Sequence, residues 1–242
     1  MQNAIILLSG GLDSSTLAYY VKYKLKPKSI TALFFDYNQR NLKQEEYCAR
    51  TIAKKIKAKF KKINIKWLGE ISTSLINSRI KLPKVNEKDL SNVKKGTKEI
   101  LNYWVPCRNS LFILSALAHA ESEFLSNKKQ NHIYIGLKSE GRLPMKDTTP
   151  EFIKQINKLA KQATLKGNFK ILAPFIKKDK DEIIKIGNKL NVPYKNTFSC
   201  YSNSGFRNRL PVHCGTCESC LLRNKGFYWT NIKDPSIYAK AL

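Results

Sequence analysis

The sequence predicts an α/β fold, a doubly wound parallel sheet over residues 1–195, with a small cysteine-rich C-terminal subdomain over residues 196–242. Three observations carry this prediction. Short apolar runs alternate with segments of helical periodicity, the pattern of right-handed crossovers with helices on both sheet faces. A glycine-rich turn joins the first apolar run to the first helical segment, where open α/β sheets place their ligand sites. Four of the six cysteines fall after residue 199.

The elements follow in order. Ala4 to Leu8 is a continuous apolar run, as expected for a strand buried on both faces. Ser14 to Tyr23 places Leu17, Ala18 and Val21 at helical spacing. Ser29 to Phe35 reads as the second strand, Lys43 to Ile56 as the second helix and Phe60 to Ile65 as the third strand. Residues 69–103 are polar, rich in Lys and Asn and weakly periodic, so they read as a long functional or mobile connection. Order resumes with a helix over Leu111 to Phe124 and a strand over His132 to Leu137. Pro150 to Gln162 reads as a helix with proline in its first turn. Phe169 to Leu172 reads as the last strand and Asp179 to Leu190 as a helix.

Composition narrows the class. With 42% hydrophobic and 26% charged residues in 242, the chain can bury a full core and is not of the disordered type. No apolar run approaches a membrane span, and Ala4 to Leu8 lacks a preceding basic segment, so a cytoplasmic protein without membrane contact is expected. The net charge of +26 attracts phosphates, nucleic acid or acidic protein surfaces. Yet 36 of the 44 basic residues are lysines spread over nearly every segment, which reads as a solvated basic surface rather than a nucleic-acid groove. Direct nucleic-acid binding stays open.

Ser9-Gly10-Gly11-Leu12-Asp13-Ser14-Ser15 lies between the first strand and the first helix. Glycines 10 and 11 let the backbone approach an anion, and the N–H groups from Gly10 to Asp13 can ring a phosphate. The hydroxyls of Ser9, Ser14 and Ser15 add donors. Asp13 is out of place beside a phosphate unless it meets Mg²⁺ or braces the loop. A glycine-rich turn alone is no more than a helix cap; the buried strand, SGGLDSS and helix together are a narrower pattern.

Cys200, Cys214, Cys217 and Cys220 form two CxxC steps sharing a cysteine, plus a fourth thiol from across a loop. Four thiolates make a closed, tetrahedral, structural Zn²⁺ site without Lewis-acid chemistry. An iron–sulfur cluster or redox dithiol is the rival reading. Cys48 reads as a core thiol on a helix.

SGGLDSS resembles the pyrophosphate loop of the N-type ATP pyrophosphatases. The resemblance implies an adenine nucleotide alpha hydrolase-like fold. It also implies ATP held by Leu8, Ser9, Gly10, Gly11, Leu12, Asp13, Ser14, Ser15 and Thr16, and cleaved between its α and β phosphates. Phe35-Asp36-Tyr37-Asn38-Gln39-Arg40 is close to FDYGQR, and Val105-Pro106-Cys107-Arg108-Asn109 resembles VPGRN. The end, Ser199-Cys200-Tyr201 through Cys214, Cys217, Cys220, Arg223 and Gly226, resembles SCY…CGxCxxCxxRxxG. On these residues the chain resembles the 7-cyano-7-deazaguanine synthase (QueC) family.

By that resemblance the substrates are 7-carboxy-7-deazaguanine, ammonia and ATP, the product is the nitrile, and the enzyme is an AMP-forming ligase and a homodimer. Asp13 and Arg108 are the catalytic candidates, and Arg40 joins the ATP site. Arg108, Asn109, Glu140 and Asp147 are the substrate-binding candidates. The departures are Asn38 and Cys107 in place of family glycines, with Cys107 expected to be packed. Residues 136–150 also depart from the family's DFSGYPDC pattern: Gly141 replaces its first acid, and Asp147 retains the second. Two further readings share the chemistry: transfer of the activated deazaguanine to a protein amine, as in QueC-like antiphage enzymes, and a tRNA-modifying ligase or thiolase. A zinc-containing nucleic-acid-binding module is the non-enzymatic one.

Overall fold

The computed structural model describes residues 2–78, 80, 82–83, 101–139 and 145–239. Five strands form one parallel sheet: β1 (Asn3–Leu7), β2 (Ile30–Asp36), β3 (Lys59–Asn64), β4 (Asn131–Ile135) and β5 (Ile171–Leu172). Their order is β3-β2-β1-β4-β5. β1, β2 and β4 have almost no polar side chains pointing outward, because each is covered on both faces. β3 lies at one edge and carries Lys59, Lys61 and Lys62, charges that discourage pairing with another chain.

Strand alternation sorts the core into two layers. Ala4, Ile6, Ala32 and Phe34 face α1 (Leu12–Tyr20), α2 (Leu42–Lys55) and further helices from the C-terminal part. Ile5, Leu7, Leu33, Phe35, Ile133 and Ile135 face the opposite layer, α4 (Arg108–Asn127) and α5 (Pro150–Ala163). A short α3 (Trp67–Glu70) precedes α4. α5 starts on Thr149, whose side chain accepts from Phe152 N–H, with Pro150 at its first position.

The expected elements are present with shifted ends. α1 begins two residues early and passes into a π-helical turn over Val21–Leu25. The 69–103 connection is anchored where it is described: Leu75 N–H and the Ser74 hydroxyl both bond the Asn102 carbonyl, and Ile76, Tyr103 and Val105 are buried in the second core layer. Its central residues lie outside the described ones.

The chain past Leu190 is richer than expected. After α6 (Lys180–Lys189) come β6 (Phe206–Arg207), β7 (Leu210–His213), α7 (Glu218–Thr230) and β8 (Ile237–Tyr238), the three strands forming a second small sheet. Phe169 to Leu172 is therefore not the last strand. The hydrophobic residues of α7 do not form one clean stripe, because the helix splits its contacts between the metal cysteines and the main core, where Phe227 is buried. No helix among the described residues is long and apolar enough to cross a membrane.

Candidate active site and metal centre

The strand order reverses at β1, which pairs with β2 on one side and β4 on the other. Ligands of open α/β sheets bind at this switch point, beyond the carboxyl ends of the strands. The Ser9–Ser15 loop leaves β1 there. Gly136, just past β4, lies so close that a Cβ would sit 3.1 Å from Ser14 N and Cα. Gly10 has φ +80°, and a Cβ there would meet the α2 backbone at 2.6 Å from Glu45 O and 2.7 Å from Ala49 N. A side chain is excluded on both grounds.

The loop hydroxyls divide. Ser9 and Ser14 hydroxyls lie 3.0 Å apart, with Ser9 Oγ accepting from Gly11 N–H. Ser15 is fully buried, its hydroxyl without a partner among the described residues. Thr16 lies in the core: its hydroxyl donates to Leu12 O and meets Tyr194 Oη at 3.1 Å. Leu8 and Leu12 are buried core residues.

Asp13 in the first turn of α1 pairs with Lys180 in the first turn of α6, Nζ donating to Oδ2 at 2.7 Å. Asp13 Oδ1 is buried without a hydrogen-bond partner among the described residues. One carboxylate oxygen thus braces a lysine beside the loop while the other stays available, which suits a donor set for Mg²⁺ arriving with a nucleotide. Sequence reading missed Lys180, which sits in a run of similar lysines. In the fold Gly226 leaves room for it, since a Cβ there would lie 2.5 Å from Lys180 Cγ.

A second group gathers at the start of α4. Arg108 lies 5.9 Å from the Tyr37 ring centre. Burial opposes its charge, but Tyr37, Tyr201 and Asp147 more than offset this and keep it protonated. Burial raises the Asp147 pKa, and Arg108 and Asn109 hold back only part of the shift. Asp147 Oδ1 has no partner among the described residues. Behind both groups, Glu45 accepts from Gln39 Nε2 and Asn41 Nδ2, and burial raises its pKa to about 7. Arg40 ties down the 74–78 segment, its guanidinium donating to Leu75 O at 3.3 Å and its N–H to Ile76 O. Glu140 lies outside the described residues.

The four cysteine sulfurs all lie within 4.8 Å of one another. The Cys214–Cys220 and Cys200–Cys217 edges are both 3.9 Å, close to the roughly 3.8 Å edge of a tetrahedron with Zn–S bonds of about 2.3 Å. Backbone N–H groups aim at the sulfurs, Thr216 and Cys217 at Cys214 Sγ, and Ser202 and Cys214 at Cys200 Sγ. Such donors favour thiolates. Gly215, at φ +78°, makes the knuckle turn. The residues fit a closed structural zinc site held by Cys200, Cys214, Cys217 and Cys220.

The family described as queuosine biosynthesis protein QueC matches residues 3–231. The chain belongs to the QueC family. The 7-cyano-7-deazaguanine synthase of Methanosphaera stadtmanae is 34% identical, covering 98% of this chain and 98% of its own. That of Nostoc punctiforme is 36% identical, covering 98% and 99%. Among solved structures, NMN synthetase from Francisella tularensis is 14% identical with a TM-score of 0.41, covering 95% of this chain and 84% of its own. A 4-thiouridine synthetase–RNA complex with bound ATP is 17% identical with a TM-score of 0.44, covering 94% and 53%. These two add nothing to the family assignment. As a QueC-family member the chain is an ATP-dependent ligase-type enzyme.

Two departures from the QueC pattern keep the glycine backbone without the glycine. Asn38 has φ +61° and Cys107 φ +54°, both left-handed. Asparagine tolerates this; cysteine does not. Cys107 is exposed, so the expected packing role is corrected: no core surrounds its thiol. Removing the left-handed penalty of about 1–2 kcal/mol, less about 0.5–1 kcal/mol of glycine chain entropy, makes Cys107→Gly stabilising by up to about 1.5 kcal/mol. Urea denaturation checks this; a lower midpoint contradicts it.

Proposed function

We propose that this chain is a 7-cyano-7-deazaguanine synthase. A carboxylate oxygen of 7-carboxy-7-deazaguanine attacks the α phosphate of ATP, and pyrophosphate leaves. Ammonia attacks the acyl carbon of the adenylate, AMP departs and the amide forms. The amide oxygen then attacks the α phosphate of a second ATP, a second pyrophosphate leaves, and loss of AMP and the two amide protons gives the nitrile. The observation that carries this reading is the intact phosphate loop at the β1–β4 switch point, with the Asp13–Lys180 pair beside it.

Each group has a physical task. The loop amides and the α1 N-terminus bind departing pyrophosphate, and the Lys180 charge offsets the negative charge that develops there. Asp13 orients Lys180 and offers Oδ1 to the magnesium that accompanies ATP. Arg108 neutralises the substrate carboxylate before attack. Asp147 accepts from N1–H and the 2-amino group of the deazaguanine, which supplies the donors its unpartnered oxygen lacks. Cys200, Cys214, Cys217 and Cys220 would hold zinc as a closed site that supports the C-terminal part and supplies no chemistry to bond making.

Asp147→Asn turns an amide N–H toward those donors. Substrate-dependent AMP release, measured as kcat/KM for the deazaguanine, then falls about 10²-fold or more, while the ATP KM stays near wild type. Equal loss on both substrates contradicts the base-reading role.

A second reading follows from Gly141, which stands where the family carries an acid: the acyl group goes to a protein amine instead of ammonia. Incubation with MgATP and 7-carboxy-7-deazaguanine, with and without ammonium, separates the two by product mass. A nitrile supports the synthase; a product that halts at adenylate or amide moves the assignment to the second reading. Absence of substrate-dependent AMP overturns both.

A further inference from the structure

The phosphate loop is held from outside its own strand and helix. Phe198 N–H donates to the Gly10 carbonyl at 2.9 Å, and a Cβ on Gly11 would lie 3.6 Å from the Phe198 carbonyl. The backbone around Phe198 therefore covers the loop and fixes one of its carbonyls. Local bonds from the Thr197 hydroxyl and N–H to Tyr194 O close a 3₁₀ turn just before Phe198, but they do not reach Phe198 or Ser199. The side chain that holds this stretch lies on α7.

Arg223 is 1% exposed and fully engaged. Its Nε and Nη2 form a forked pair with Asp234, at 2.8 and 3.2 Å. Nη1 reaches Thr197 Oγ1 at 2.9 Å and Ser199 Oγ at 3.1 Å, and Nη2 also reaches Tyr194 O at 3.2 Å. Thr197 and Ser199 flank Phe198, so one nitrogen grips the chain on either side of the residue that bonds Gly10. Asp234 is itself held by the Tyr238 hydroxyl and Ser236 N–H. Ser199 is further fixed through its N–H to His213 Nε2 and its carbonyl from the Ser219 hydroxyl.

We propose that Arg223 is a positioning residue for the phosphate loop: its fork sets the Thr197–Ser199 backbone, and Phe198 passes that position to Gly10. A lysine cannot take its place, because a point charge cannot hold Asp234, Thr197, Ser199 and Tyr194 together in one plane. The consequence for ATP rests on the ligase reading above; the effect on the loop itself does not.

The test uses the zinc-loaded enzyme with Arg223→Lys, and with Thr197→Val/Ser199→Ala, which leaves the Arg223–Asp234 pair and core volume in place. Hydrogen exchange of the amides over residues 9–16 is read alongside MgATP affinity by calorimetry and the KM of each substrate. Both variants are expected to exchange the loop amides about tenfold faster and to bind MgATP about tenfold more weakly, with unchanged zinc content and deazaguanine KM. A lower melting temperature with wild-type loop exchange and ATP affinity overturns the proposal, since it leaves Arg223 a purely structural residue. Should Arg223→Lys not fold, the double variant decides alone. If wild type binds no MgATP, the ligase reading falls, and the exchange measurement still decides whether Arg223 positions the loop.

Discussion

Asp13→Ala abolishes AMP release, a loss of about 10³-fold or more, with folding and zinc content as in wild type. The expectation follows from the two separate uses of the carboxylate. Oδ2 binds Lys180 at 2.7 Å, and Oδ1 is buried without a partner among the described residues. Alanine removes both oxygens from the loop, the one that orients Lys180 and the one beside it. The pair is partly exposed, with 25% of the Asp13 and 19% of the Lys180 side chain accessible, so its contribution to stability is small. Its contribution to a transferring phosphate group is large, because preorganised charge at a site of developing charge costs nothing to reorient. Lys180→Met is expected to cost a similar factor. If the two act as one unit, the double variant is no slower than the worse single. Independent, additive losses would show that Asp13 serves through Oδ1 alone. AMP formation in the presence of the deazaguanine is the measurement throughout.

Cys217→Ser lowers soluble yield and strips zinc before it alters any chemical step. Cys217 is 1% exposed and packs with Cys48, Phe198, Cys200 and Cys220 in one small cluster. A structural zinc site contributes about 10–16 kcal/mol of apparent folding energy in small zinc peptides, comparable to the whole stability of about 5–15 kcal/mol of a typical domain. The cluster touches the loop through Cys48, whose Cβ lies 2.8 Å from where a Gly10 Cβ would be, and through Phe198. Loss of metal therefore loosens the C-terminal part first and reaches the phosphate loop only afterwards, through Cys48 and Phe198. Zinc content by elemental analysis and thermal melting check the expectation. A variant that melts normally with no metal bound refutes the structural assignment.

Much of this was legible in the residues. Ala4–Leu8 and Ile30–Phe35 announce buried strands because both faces of a central parallel strand meet apolar layers. The C-terminal cysteines announce a metal because CxxC spacing brings sulfurs together within one turn. Other features were hidden for physical reasons. α7 escaped notice because its buried residues serve two environments at once, zinc cysteines on one side and Phe227 in the main core on the other. Cys107 looked like a packing residue, yet its place is set by a left-handed backbone that its side chain does not favour.

By itself the sequence determined the alternation of strands and helices, the glycine-rich turn after β1 and the grouping of the four C-terminal cysteines, since each arises from patterns within about twenty residues. Only the tertiary structure decided that Lys180 meets Asp13 across 167 positions, and that Arg223 reaches Thr197 and Ser199 across 26 and 24. Those pairings depend on the order of strands in the sheet and on which helix faces pack together. Such choices are settled by the burial of many side chains at once, and no short stretch of sequence records them.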